Sequence, residues 1–346
     1  MTPTLRLDRK GVSLGVVAVL VLLVGVYLGS GALRWFDAAL APYLFGTLLA
    51  VFATVYRYVV WLRRPPTARL NQRGWEALRA RGKLASNLGA LVGLLVTNLA
   101  LQRFISARSR SRWMAHQLLF WGCILAALVT FPLTFGWFHF ESADPTGRNY
   151  IAYLGPIATI SFDSRSLLGW LIFHVLNIAA VLVIAGVTIF LIRRFRDRGA
   201  MALERAGDFA VLAGLFAVSV TGLMLTASSL WMEGRFYSFL NNLHALTVIL
   251  GLLYIPFGKL FHILQRPANI GIAFYKKAAA ESGLQTCPEC GDGFASMLQM
   301  SDLKDVLPQL GFDYRLPDGG HYQDLCPRCR RLFVGRAQNL RVGGFG

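Results

Sequence analysis

Four histidines and four cysteines are the residues of this chain whose types and spacing can do chemistry. His116, His174, His244 and His262 all lie in long apolar runs, where an ionisable ring is costly and needs a reason. His244 and His262 share one run, "NNLHALTVILGLLYIPFGKLFHILQRP" (241–267), eighteen residues apart. On one continuous helix, eighteen steps of about 100° complete five turns, so both rings leave the same face roughly 27 Å apart. That distance nearly matches the hydrocarbon core, so one imidazole would lie near each side of a membrane. Cys287, Cys290, Cys326 and Cys329 form two C-x2-C knuckles, in "CPECG" and "LCPRCRR", with 35 residues between them. Four thiolates paired this way can close a tetrahedron around one metal ion.

The elements that must position these groups are membrane helices. The 346 residues are 55% hydrophobic and only 15% charged, with a mean hydropathy of +0.50. The expected fold is therefore an all-α polytopic membrane protein, with six transmembrane helices at about 12–33, 37–62, 114–136, 167–192, 207–231 and 240–265. The first apolar run is too long for a secretory signal core and reads as a retained anchor. The expected organisation is an N-terminal transmembrane anchor (1–36), a transmembrane domain (37–270) that carries the intramembrane histidines and a cytoplasmic basic loop at 63–113, and a cytoplasmic four-cysteine metal-binding domain (271–346).

The net charge of +17 is topogenic rather than a nucleic-acid footprint. Of 35 Lys and Arg, 29 fall before the first span, in 63–113, in 193–206 or after 265, and all these segments share one side. The opposite loops hold only Arg34, Arg148, Arg165 and Arg235. The positive-inside rule then puts both termini in the cytoplasm and leaves no role for DNA or RNA. The apolar segment 85–101 cannot span without inverting every later loop, so it reads as an interfacial or partner-facing helix.

This topology sets the depth of each histidine. His116 enters the third span and His262 ends the sixth, both near the cytoplasm. His174 and His244 lie a few residues inside the outer ends of the fourth and sixth spans. Two pairs at two depths suit two b-type haems, each held by imidazoles on both faces. The rival reading is that each intramembrane ring only hydrogen-bonds to a neighbouring helix. His139, in "GWFHFESADP", reads as an interfacial side chain, and Cys123 as packing within a span. Arg57 and Lys259 are placed to meet a haem carboxylate or to snorkel toward the interface.

At these residues the chain resembles the gamma, or cytochrome b, subunit of respiratory nitrate reductase. "LHALTVILGLLYIPFGKLFHIL" has that family's His, seventeen residues, then His, "PYLFGTLLAVFATVYRYVVW" resembles its first span, and "RSRWMAHQLLFWG" the entry to its second. The resemblance covers about 42–64 and 112–275. It implies a five-helix dihaem cytochrome b bundle, here with one extra N-terminal helix, in a bacterial or archaeal cytoplasmic membrane. It implies quinol oxidation near the outer haem, with electrons passing to a cytoplasmic iron–sulfur subunit and a catalytic subunit. By the same resemblance His116 and His262 match the ligands of the inner haem, and His244 one ligand of the outer. The family's other outer ligand falls at Ala126, so His174 substitutes or the outer haem is absent or differently held. Related membrane subunits also serve complexes resembling heterodisulfide reductase.

The cysteine tail faces the reducing cytoplasm, which argues against disulfides. Zinc is the commoner occupant of four thiolates, and a rubredoxin-like iron is the alternative. His321 is a neighbour of the cluster. The expected function is electron transfer between the quinone pool and a cytoplasmic partner. The alternatives are a single-haem transmembrane reductase and a non-redox anchor recruiting a partner through a zinc ribbon.

Overall fold

A computed structural model describes residues 7–196, 206–316 and 319–342. In chain order its helices are α1 (Arg9–Gly29), α2 (Ala41–Arg63), α3 (Thr67–Leu78), α4 (Leu84–Leu94), α5 (Arg103–Ser106) and α6 (Arg110–Thr134). Then follow α7 (Leu167–Arg196), α8 (Ala206–Trp231), α9 (Tyr237–Tyr254), α10 (His262–Ala268), α11 (Gly271–Glu281), α12 (Met297–Val306) and α13 (Pro327–Val342). The chain divides into two compact units, Met1–Val59 with Val96–Ile263, and Val60–Leu95 with Leu264–Gly346.

The first unit carries the membrane character. Five of its helices, α1, α2, α6, α7 and α8, are long and apolar enough to cross a membrane. They meet through small residues, as helices do where lipid supplies no hydrophobic drive for association. Gly11 and Gly15 of α1 lie against Tyr56 and Phe52 of α2. Gly122 of α6 lies against Val183 of α7, and Gly186 of α7 against the Ala115 carbonyl and Leu119. A side chain at any of these would force the backbones apart. Asp8 caps α1 by accepting from the Gly11 N–H, and Ser109 caps α6 by accepting from Arg112.

The run expected as one straight span over 240–265 is broken. α9 ends at Tyr254, and the helical piece Lys259–Ala268 leaves at 62° to it. Pro256 has no N–H to continue the ladder, and Gly258 takes an extended conformation. Gly258 also packs so closely on the Tyr254 ring that a β-carbon would collide with it. The sixth span exists only if this bent pair counts as one crossing. The shared face inferred for His244 and His262 assumed continuous helix between them, and that premise fails at 255–258.

The all-α expectation needs a second correction. Between α6 and α7 lies an antiparallel sheet of β1 (Phe138–Ser142), β2 (Asn149–Leu154) and β3 (Ile157–Asp163), in the order β1-β2-β3. Phe140, Tyr150, Phe162 and, from α7, Phe173 form one aromatic cluster on it. Trp137, just before β1, donates to the Gly25 carbonyl of α1.

The second unit joins the loop after α2 to the C-terminal segment. Helices α3 and α11 cross at two glycines, with a Gly74 β-carbon position 2.9 Å from the Gly271 carbonyl oxygen. Leu78, Ile270 and Phe274 form its core, with Leu91, Leu94 and Leu95 packed on them. Asn87 of α4 donates to the carbonyls of Ala77 and Leu78 at the end of α3. Segment 84–100 is thus helical as expected, ending in a π-helical turn at Leu95–Ala100.

The polar link of this unit is Asp302 on α12, whose side chain is 7% exposed. It accepts from Arg69 Nε at 2.7 Å and from Arg73 Nη2 at 3.0 Å. Burial, with Asp302 alongside, pushes the Tyr275 hydroxyl up to about 12. Asp302→Asn leaves Arg69 with Asp305 and Arg73 with Glu76 but removes their shared carboxylate, and we expect it to destabilise this unit by about 2 kcal/mol. Limited proteolysis of the detergent-solubilised chain across a denaturant series measures this. A change below about 1 kcal/mol would reduce the clamp to an ordinary surface ion pair.

Candidate functional site: a histidine pair and a four-cysteine cluster

His116 sits in the second turn of α6, and His262 is the first residue of α10. Their ring centroids are 6.4 Å apart with planes at 73°. A metal–imidazole bond of about 2 Å on each side, plus half a ring on each, puts opposed imidazole centroids about 6 Å apart. The observed separation is close to that value.

The two rings line a cavity of about 340 Å³ whose walls include Leu119, Phe120, Phe190 and Leu215. Two basic side chains, Arg194 and Lys259, also line it and suit a ligand with carboxylates. Cys123, expected as packing, is on the same wall. Arg57, expected beside a haem carboxylate, reaches the backbone carbonyl of Pro256 and lies 4.2 Å from the centre of the Phe261 ring. Sequence reasoning missed Arg194. Its signal was a basic residue closing α7 at the depth assigned to His116.

Hydrogen bonds at Nδ1 settle which nitrogen of these histidines can ligate. His262 Nδ1 lies 2.6 Å from the Lys259 carbonyl, and His174 Nδ1 lies 2.9 Å from the Trp170 carbonyl. A carbonyl only accepts, so each Nδ1 carries the proton and each Nε2 keeps its lone pair. His244 Nδ1 lies 2.9 Å from the Thr221 hydroxyl, which is itself within donating distance of the Ala217 carbonyl.

The second expected pair is not assembled in the same way. His174 stacks on Trp170 at 4.8 Å, and His244 faces α8 at Thr221 and Gly222. Among the described residues no ring contact joins His174 to His244. Thr226 of α8 donates to Asn177 of α7 at 2.9 Å. His139 is held between Trp35 and Tyr153, with centroids at 4.8 and 5.2 Å, and its Nε2 is 3.7 Å from Glu141. That is a packed position on β1, with both ring nitrogens buried and without a hydrogen-bond partner.

In the second unit β4 (Leu284–Thr286) and β5 (Gly293–Ser296) form a hairpin around the first knuckle. Gly291, at φ +75°, turns the chain so that its N–H reaches the Cys287 carbonyl at 2.9 Å. The second knuckle opens α13, and Arg330 fixes the approach by donating to the Leu325 carbonyl at 2.7 Å. The sulfur atoms of Cys287, Cys290, Cys326 and Cys329 all lie within 4.8 Å of one another, with Cys290 and Cys326 at 3.7 Å. Zinc–thiolate bonds of about 2.3 Å in a tetrahedron separate the sulfurs by about 3.8 Å. The four cysteines form a site able to hold a metal ion.

Backbone donors point at two of the sulfurs. The N–H of Cys326 points to Cys287 Sγ at 3.3 Å and that of Cys329 to Cys326 Sγ at 3.4 Å. Burial pushes the Cys287 thiol up, but N–H groups of Cys326, Cys290 and Glu289 outweigh it and hold the thiol at about 6. His321 is outside the cluster. Its Nδ1 accepts from the Gln323 N–H at 3.1 Å, and burial together with Lys304 lowers its pKa.

No family model, curated protein or solved structure matches this chain.

Proposed function

We propose that this chain is the membrane subunit of a quinol-linked respiratory oxidoreductase, of the kind represented by the cytochrome b subunit of nitrate reductase. The observation that carries the reading is the His116–His262 pair, 6.4 Å apart in an apolar cavity that also holds Arg194 and Lys259. A haem held there supplies reversible one-electron exchange at its iron. His116 and His262 would bind and orient it, His262 through Nε2, and the apolar walls would keep water from the ring. Electrons would pass between membrane quinone and a cytoplasmic iron–sulfur partner serving a catalytic subunit. In the cysteine tail we assign structural zinc, with iron as the alternative.

The dihaem reading adds a second haem b at His244, with His174 opposite. The single-haem reading is favoured by the separate partners of these two rings, Trp170 and Thr221. A reduced-minus-oxidised spectrum with the haem-to-protein ratio decides: two for the dihaem protein, one for the single-haem reductase, none for a non-redox anchor. If two are found, His174→Ala is expected to remove one and leave the other, while His139→Ala changes neither. A second haem lost with His139 and retained without His174 would reverse the assignment.

A further inference from the structure

We infer that Arg57 is a positioning residue for His262, fastening the break in the last apolar run so that the imidazole faces His116. The inference rests on the haem reading above. The break places the Pro256 carbonyl beyond the end of α9, in a region where an unsatisfied backbone group is costly. Arg57, on α2, donates to that carbonyl. The same guanidinium lies 4.2 Å from the centre of the Phe261 ring. Phe261 is 2% exposed and meets Tyr58, the next residue of α2, edge-on at 6.5 Å. Two adjacent α2 residues therefore grip the side chain that immediately precedes His262.

The turn between these grips has few ways to move. His262 Nδ1 is tied to the Lys259 carbonyl within it, so the direction of Nε2 is inherited from the turn as a whole. Arg57 is absent from the cavity wall, where Arg194 and Lys259 supply the positive charge. Its role is thus geometric. A planar guanidinium can donate in its plane and stack through its face at once, which an ammonium cannot do.

The test uses purified full-length protein in lipid nanodiscs, comparing R57M, R57K and F261L. The readouts are haem content, the electron paramagnetic resonance signature of the low-spin haem, and its midpoint potential. A positioning role predicts that R57M and F261L share one altered low-spin signature and release haem about 10-fold more readily, as when a histidine ligand loses its orienting partner. R57K keeps the charge but loses the flat stack, so it shows the same altered signature. If R57K and F261L match the wild type while R57M shifts only the potential, Arg57 acts as a charge and the inference is overturned. It is equally overturned if all three match the wild type. Should R57M fail to fold, R57K and F261L carry the test alone. Failure of the underlying haem reading looks different: wild-type protein without haem, or haem that survives His262→Ala.

Discussion

His262→Ala is expected to remove the haem bound beside His116 and to stop electron delivery to the partner complex. Two opposed imidazoles 6.4 Å apart are a matched set, and loss of one leaves a ring on one side and a methyl group on the other. The Lys259 carbonyl that orients His262 also loses its donor. Losing only such an orienting contact weakens metal binding about 10–100-fold, so losing the ligand itself should exceed that range. His116→Ala should give the same spectrum, because the pair acts as a unit. His321→Ala, far along the chain and already engaged by Gln323, serves as the control with unchanged haem. Full haem content and quinol-dependent turnover in either His116→Ala or His262→Ala would end the assignment of this pair.

Cys287→Ser or Cys326→Ser is expected to release the metal of the tail and unfold its knuckles, leaving the haem spectrum as in the wild type. Leu325, Cys287 and Cys326 make up the buried cluster there, with Phe294, Tyr322 and Cys329 packed against it. That core is too small to hold two knuckles together without the ion. Structural zinc in small folds contributes about 10–16 kcal/mol of apparent binding energy, and the fold depends on it. Elemental analysis of the purified protein should give one zinc per chain, falling to background in either variant, with new protease cleavage between 284 and 342. One iron per chain in the wild type would make the tail a redox carrier. A tail that resists proteolysis after losing its metal would show that the cysteines are not its main support.

What was legible in the sequence was whatever depends on residue type and short spacing. The two C-x2-C knuckles name their own cluster, because four thiols at such spacing have one economical arrangement. The five long apolar runs name their own helices for a similar reason, since only a helix satisfies every backbone group in lipid. The pairing of His116 with His262 drew on their matched depth and on the family resemblance together. Legibility failed where one local residue overrides a regional pattern. Pro256 and Gly258 stand in plain view within 240–265, yet the continuous apolar run outweighed them and the same-face geometry was drawn through a bend of 62°. The sheet at 138–163 was hidden by brevity. Its alternation in "FHFES" and "NYIAYL" is a strand signal that lies between two much stronger helical ones. The clamp on Asp302 was not legible at all, since nothing local to Arg69, Arg73 or Asp302 says that they meet.

That clamp orders events during synthesis. Arg69 and Asp302 are 233 positions apart, so at about 5–20 residues per second the ribosome needs roughly 10–50 s to supply the carboxylate after the arginines have emerged. Throughout that interval Leu78 and the Gly74 face of α3 await Phe274 and Gly271, which have not yet been translated. The early loop must be shielded by lipid or by a chaperone while the remaining membrane helices insert. A chain halted before Asp302 would hold Arg73 only on its neighbour Glu76, leave Arg69 without its two carboxylates, and keep the hydrophobic face of α3 uncovered.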